Sequence, residues 1–253
     1  MKTLILLTLL AALPARAENI FGADDRIQAS LLSGPYSRIV DVNRSCTGSL
    51  VGKNLVLTAA HCVNAMLEAQ ADGSLKITQS IYVEAGCHRR AHCEGRARVL
   101  RVVRGTSDPD HRRHEDWAIL VIDKALGKRF GFFEIARDVV AGSPLNSQLT
   151  AAGFSYDRVG SHGMTSHVGC DLKTFFPNGL IYHNCDMSPG ASGGPIFQCT
   201  DERCEIVALI AAEFRDERDQ TRYGVDYSDA VANIAVNPSQ FSSVIEALRS
   251  SRH

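Results

Sequence analysis

Several absences narrow the field before any motif is read. The chain has 253 residues and no charge excess, with 27 basic side chains against 28 acidic ones. Neutralising many phosphates takes a basic surplus, so no nucleic-acid partner is expected. No stretch approaches the 18 consecutive apolar residues that suit a membrane-crossing helix. There is a single Trp, no internal repeat, no Pro/Ser-rich linker and no long block of like charge. With 20 Gly, the composition is that of a turn-rich β protein rather than a helical bundle.

What is present begins with an address. Lys2 supplies a positive start, Leu4 to Leu13 is a short apolar run, and Ala15-Arg16-Ala17 is a small-residue cleavage site. Residues 1–17 therefore read as a signal peptide, and the run is too short to remain as an anchor. A secreted or periplasmic protein starting near Glu18 is expected. Eight cysteines then meet an oxidising compartment and are expected in disulfides. Spacing favours two local bridges, Cys87 with Cys93 and Cys199 with Cys204, which leaves Cys46 with Cys62 and Cys170 with Cys185. Cys87-His88-Arg89-Arg90-Ala91-His92-Cys93 also alternates like a zinc site. The two arginines and the oxidising compartment favour the disulfide, and no metal or cofactor is expected.

Short apolar stretches recur about every ten residues, bounded by Gly, Asn, Asp and Pro. Leu55-Val56-Leu57, Ala97 to Val103, Trp117 to Ile122, Leu149 to Ala152 and Ile206 to Ala212 are examples. That spacing predicts an all-β barrel or sandwich. One helix is expected at the C-terminus, opened by Pro238 and Ser239, with Phe241, Val244, Ile245 and Leu248 at helical spacing. Arg137 to Ser147, polar and carrying Gly142 and Pro144, is the expected boundary between two halves.

Three segments carry chemistry. Thr58-Ala59-Ala60-His61-Cys62 puts an imidazole at a strand end beside a cysteine. Gly190-Ala191-Ser192-Gly193-Gly194-Pro195 puts a serine in a glycine-flanked turn, where backbone N–H groups can converge on one oxygen. Between them, Asp116 stands at the start of the apolar run Trp117 to Leu120. A buried carboxylate that holds one imidazole nitrogen leaves the other able to take a proton from serine. Asp108, Asp110 and Asp123 compete less well, since none directly precedes a long apolar run. Trp117 is expected in the core, shielding Asp116.

With these motifs in that order, the chain resembles the trypsin-like serine proteases, most closely the bacterial glutamyl endopeptidase (V8-like) branch. Asp24-Asp25-Arg26, Pro35-Tyr36, Ser45-Cys46-Thr47-Gly48, Phe130-Gly131-Phe132-Phe133 and Asp186 to Pro195 carry the likeness. The resemblance implies two six-stranded antiparallel β-barrels packed face to face, with a C-terminal α-helix. Residues 27–138 would form the first barrel, 139–237 the second and 238–253 the helix. It further implies His61 as general base and acid, Asp116 as its orienter and Ser192 as nucleophile. Backbone N–H groups of Gly190 and Ser192 would form the oxyanion hole.

The chain also departs from the family. Trypsin has an aspartate directly before its serine, which receives the new N-terminus on activation; Ala191 stands there instead. Arg38-Ile39-Val40 imitates an activation sequence but lies close before Cys46, inside an expected strand. Cleavage after Arg26, in a stretch expected to be exposed, would remove a short propeptide of residues 18–26. Asp186 lies where trypsin carries its pocket aspartate, and an unpaired carboxylate there favours Arg or Lys at P1. Glutamyl endopeptidases recognise Glu largely through a histidine where Ile210 stands here, and Ala212 and Glu213 follow on the same pocket wall. Glu is therefore disfavoured at P1, and the choice between a basic and a small apolar P1 stays open with basic slightly ahead. His162, His167 and His183 could supply another recognition histidine, though surface positions are the blander expectation. Arg89, Arg90, Arg96, Arg98, Arg101 and Arg104 form a basic strip, expected to be a solvated face, with Asp201-Glu202 and Asp216-Glu217 balancing it elsewhere. The expected function is secreted endopeptidase acting on proteins or peptides. The alternatives are a Glu-specific endopeptidase, an inactive binding module on the same scaffold, or an esterase.

Overall fold

The computed structural model describes residues 19–29, 34–89, 92–145, 148–159, 163–201, 203–214 and 224–251. The expected signal peptide (residues 1–17), Glu18, Arg90, His162, Glu202 and Asp216-Glu217 lie outside the described residues.

A two-residue strand β1 (Ile27–Gln28) precedes β2 (Ile39–Val42), β3 (Cys46–Leu50) and β4 (Leu55–Thr58). A small surface hairpin follows, β5 (Leu67–Ala69) with β6 (Leu75–Ile77), and then β7 (Tyr82–Arg89), β8 (His92–Arg104) and β9 (Ala118–Ile122). Strands β2, β3, β4, β9, β8 and β7 close into a six-stranded barrel. Its walls follow from the residues. β2 and β9 are rich in Val and Ile and buried along their whole length. β8 alternates instead, with Ala97 and Val99 facing the core and Arg96 and Arg98 facing water.

The second half adds β10 (Glu134–Ile135), β11 (Leu149–Gly153), β12 (Thr165–Cys170), β13 (Leu172–Phe175), β14 (Leu180–His183), β15 (Pro195–Thr200), β16 (Arg203–Phe214) and β17 (Ala232–Val236). Its hydrogen-bonded order is β1-β12-β11-β15-β16-β17-β14-β13, with β10 paired in parallel to β16. The mostly-β class and the C-terminal helix are as expected. The second sheet has nine strands rather than the expected six: β1 and β10, from segments flanking the first barrel, attach to the seven strands β11 to β17.

One core cluster spans both halves. It joins Leu55, Trp117 and Ile119 from the first to Phe197 and Leu209 from the second, and to Phe241 and Ile245 of the helix segment. Trp117 is buried, with its ring 6.4 Å from that of Phe241. Asn237 caps the turn Pro238–Gln240 by accepting from Ser239 N–H, and the α-helix proper runs Ser242–Ser250. Near its end, Arg249 donates to the carbonyls of Val51 and Phe133 and pairs with Glu134, tying the helix back to the first half.

The disulfides are Cys46–Cys62, Cys87–Cys93, Cys170–Cys185 and Cys199–Cys204, the pairing that spacing predicts. Both thiols of the zinc-like segment are thus consumed. Among the described residues, no helix is long and apolar enough to cross a membrane.

Candidate active site

His61 lies in a 3-10 turn (Ala60–Cys62) directly after β4, and Asp116 follows a second turn (Arg113–Glu115) that leads into β9. Because β4 pairs with β9, Thr58 opposite Ala118, the strand ladder brings the two turns side by side. Both carboxylate oxygens of Asp116 go to the same residue. Oδ2 lies 2.7 Å from His61 Nδ1, and Oδ1 accepts from His61 backbone N–H at 2.9 Å. The first contact assigns the proton to Nδ1 and leaves Nε2 with a lone pair. Asp116 is 3% exposed, so little water competes for it. The competing carboxylates Asp108, Asp110 and Asp123 are all exposed.

The serine loop is held by its carbonyls. Ser188 C=O accepts from Ala191 N–H (3.0 Å), Pro189 C=O from Tyr156 N–H (2.7 Å) and Ala191 C=O from Gly194 N–H (2.8 Å). Gly190 C=O accepts from Thr47 Oγ1 (2.7 Å), and Ser192 C=O from Thr47 N–H (2.9 Å). Every carbonyl from residue 188 to 192 therefore has a donor. In a trans peptide the C=O and N–H point in opposite directions. Tyr156, by drawing the Pro189 carbonyl toward itself, turns Gly190 N–H to the other side. Gly190 has φ +98°, a region open to glycine and strained for other residues.

Thr47 lies on β3, so the second half's serine loop docks on the first barrel. Gly193 makes that contact possible: a Cβ there would land on the Thr47 carbonyl, Thr58 Oγ1 and Ala59 N. Cys62 Sγ lies 3.7 Å from both His61 Nε2 and the Ser192 carbonyl oxygen. The histidine turn and the serine turn thus meet at one sulfur.

The pocket residues sit differently from expectation. Asp186 is fully buried but not unpaired: Oδ1 accepts from Phe21 N–H (2.7 Å) and Oδ2 from Asp25 N–H (3.1 Å). Burial pushes its carboxyl up, while these two amides and neighbouring His167 act in the opposite direction. Asp186 N–H donates to His167 Nδ1 at 2.9 Å, so that nitrogen is an acceptor. Ile210 is fully buried and exchanges backbone bonds with Gly193 and Gly194. Ala212 and Glu213 are half-buried on β16, and Arg113 reaches across from the first half to the Glu213 carbonyl (3.1 Å). His167 and His183 are buried rather than surface residues. Neutral His183 accepts from Cys185 N–H, and burial lowers its imidazole to about 3.

Arg26 also differs from expectation. Its side chain is wholly buried, not exposed, because Asp24 and Asp157 each take two hydrogen bonds from the guanidinium. Burial opposes the charge, and the two carboxylates outweigh it and raise the pKa. Asp157 in turn accepts from Ser188 Oγ at 2.5 Å. Thr47, Tyr156, Asp157 and Ser188 are site residues that the sequence did not flag. Their contacts join segments more than 30 residues apart, mostly through backbone groups that leave no mark on residue identity.

Two triplets among the described residues have metal-ligand proximity. Cys46, His61 and Cys62 are disqualified by their disulfide. In Asp25, His167 and Asp186, the Asp186 oxygens already accept backbone amides. A groove of about 770 Å³ lies among Lys53, Asp123, Phe132 and Arg249, and none of His61, Asp116 and Ser192 lines it. A cleft of about 330 Å³ borders the turn leading to Asp116 and is lined by Arg113, His114, Leu180 and Tyr182.

Two β modules, one presenting a carboxylate-bound histidine and the other a glycine-flanked serine on a carbonyl-locked loop, define the chymotrypsin-like class of folds. The sequence matches the trypsin-like peptidase domain over residues 46–209. The chain belongs to that family. It is 26% identical over 209 residues to serine protease 23 of Bos taurus, covering 72% of this chain and 52% of that protein. It is 23% identical over 198 residues to the glutamyl endopeptidase of Bacillus licheniformis, covering 76% and 59%. The chain therefore spans about half the length of the curated relatives it matches first. A solved structure titled "Structure of Glu endopeptidase in complex with MPD" superposes with TM-score 0.68 at 18% identity, covering 92% of this chain and all of that one.

Proposed function

We propose that the chain is a secreted serine endopeptidase. In this reading Ser192 Oγ attacks the scissile carbonyl as His61 Nε2 takes its proton, and the negative oxygen is received by the N–H groups of Gly190 and Ser192. His61 then returns the proton to the leaving amine, and water repeats the cycle on the acyl-enzyme. Asp116 holds the imidazole in the required tautomer. The observation that carries the reading is the pairing of two arrangements: a histidine doubly bonded to a buried carboxylate, and an adjacent serine loop with all its carbonyls turned to other donors. Four disulfides support an oxidising, extracytoplasmic site of action.

A basic P1 residue would need a free carboxylate at Asp186. Asp186 is fully buried with a main-chain amide already on each oxygen, so it is not the open, unpaired carboxylate that a guanidinium would seek. The half-buried Ala212 and fully buried Ile210 favour an uncharged P1 side chain instead.

The test is serine-directed fluorophosphonate labelling of wild type and Ser192→Ala, followed by digestion of a proteome-derived peptide library. Labelling lost in Ser192→Ala, with cleavage after small or apolar residues, is the expected result. No labelling of wild type overturns the protease reading, and a preference for Arg, Lys or Glu overturns the pocket argument.

A further inference from the structure

We infer that residues 19–26 act as an intramolecular clamp that sets the serine loop in its working conformation, with Asp186 and Arg26 as positioning residues. The inference deepens the serine-protease reading above and rests on it for its catalytic consequence.

The segment grips the loop at two points. The first is Asp186, four residues before Gly190. A fully buried carboxylate without a cation is costly unless amides satisfy it. Among the described residues, the backbone amides on its oxygens come from this segment, Phe21 on Oδ1 and Asp25 on Oδ2. The second grip runs through Arg26, whose buried guanidinium fixes Asp157 through two bonds, 3.0 and 2.6 Å long. Asp157 takes the hydroxyl of Ser188, and its neighbour Tyr156 takes the Pro189 carbonyl. That last bond is the one that orients Gly190 N–H.

The segment is itself anchored. Asn19 N–H donates to Asn233 Oδ1 (2.8 Å), and Asn233 Nδ2 donates back to the Asn19 carbonyl (2.9 Å) and on to that of Cys185 (2.8 Å). Ile20 is buried, and its carbonyl and the Gly22 N–H both bond Val225. A segment serving stability alone would need only apolar burial and strand pairing. This one commits two main-chain amides and a buried arginine to residues 186–189 or their immediate supports. Ala191 offers no carboxylate to a new amino terminus, so internal amides perform the tethering. Cutting the chain after Arg26 would then release the loop rather than activate it.

The experiment compares full-length wild type, Arg26→Ala, Arg26→Lys and Asp186→Asn. The readouts are fluorophosphonate acylation rate, kcat and KM on a peptide substrate, amide hydrogen exchange across residues 186–194, and Tm. Arg26→Ala and Asp186→Asn are expected to lower acylation rate and kcat by about tenfold or more, as loss of an oriented oxyanion donor does. KM should stay within about threefold, exchange should quicken in 186–194 ahead of the rest of the chain, and Arg26→Lys should recover part of the loss. Unchanged acylation and exchange in both variants overturn the clamp, as does quickened exchange spread evenly over the molecule. If Arg26→Ala does not fold, Ser188→Ala, which removes one hydroxyl, is held to the same criteria. If wild type does not label but its loop exchange still responds to Arg26, the clamp stands and the protease reading falls.

Discussion

A carboxylate that gives both oxygens to one histidine has no slack. Asp116 accepts from the backbone N–H of His61 and from its ring at once. An amide in its place has one oxygen and one NH₂, so it must present a donor to one of two donors. Asp116→Asn is therefore expected to reduce kcat/KM by about 10⁴-fold with the fold retained, through the wrong imidazole tautomer; steady-state kinetics beside a Tm measurement checks this. Buried His183 makes a second prediction at this scale. Its folded-state pKa is about 3, against about 6.5 when unfolded. Between those values only the unfolded chain binds the proton, so stability falls as pH drops from about 6.5 toward 3, by about 1.4 kcal/mol per unit for this group. Asp186, raised by burial, contributes in the opposite sense in wild type and variant alike. His183→Asn, which can keep an acceptor for Cys185 N–H, should be less stable at pH 7 yet lose less between pH 6 and 4, as read from urea midpoints. His61, Asp116 and Ser192 stood out in the sequence because each sits in a local motif. The state of Asp186 was not legible, because its partners are amides of Phe21 and Asp25, 165 and 161 residues away, and an amide has the same sequence signature everywhere.

Elements decide how those residues meet. The disulfide Cys46–Cys62 ties β3 to the histidine turn, and its sulfur also touches the serine loop. The double variant Cys46→Ala/Cys62→Ala is expected to lose about 2–5 kcal/mol of stability and, with the turn no longer pinned, activity beyond what the stability loss explains; chemical denaturation beside kcat/KM separates the two. Gly193 packs the serine turn against the first barrel. With φ +82° and the Thr47 carbonyl, Thr58 Oγ1 and Ala59 N where a Cβ would go, Gly193→Ala should push the turn off β3. A loss of acylation with intact disulfides is the expected outcome. At this scale the C-terminal helix was legible because its apolar spacing spans several turns, although its first turn, Pro238–Gln240, is 3-10. Strands β1 and β10 were not legible. Two residues show no alternation, and both residues of β1 are exposed, so only the partner strand creates them.

The whole molecule has two sheets but shares a core. Trp117, the single tryptophan, packs with residues from both halves and from the C-terminal helix. Urea unfolding followed by its fluorescence should therefore coincide with the far-UV circular dichroism transition of the whole chain, a single cooperative step; separated midpoints would show that the halves unfold independently. The all-β class was legible from turn spacing, and two barrels were what the family resemblance implied, whereas the extent of mutual dependence was not legible, since it depends on which apolar residues face across the junction. The same interdependence has a consequence in time. Asn19 is bound to Asn233, 214 positions along the chain, and contacts of such separation form late and slowly. A chain that emerges N-terminus first must wait for almost its entire length before the clamp can close. Under the proposed reading, the serine loop stays unset until Asn233 has been synthesised, so a nascent chain is not expected to cleave its neighbours.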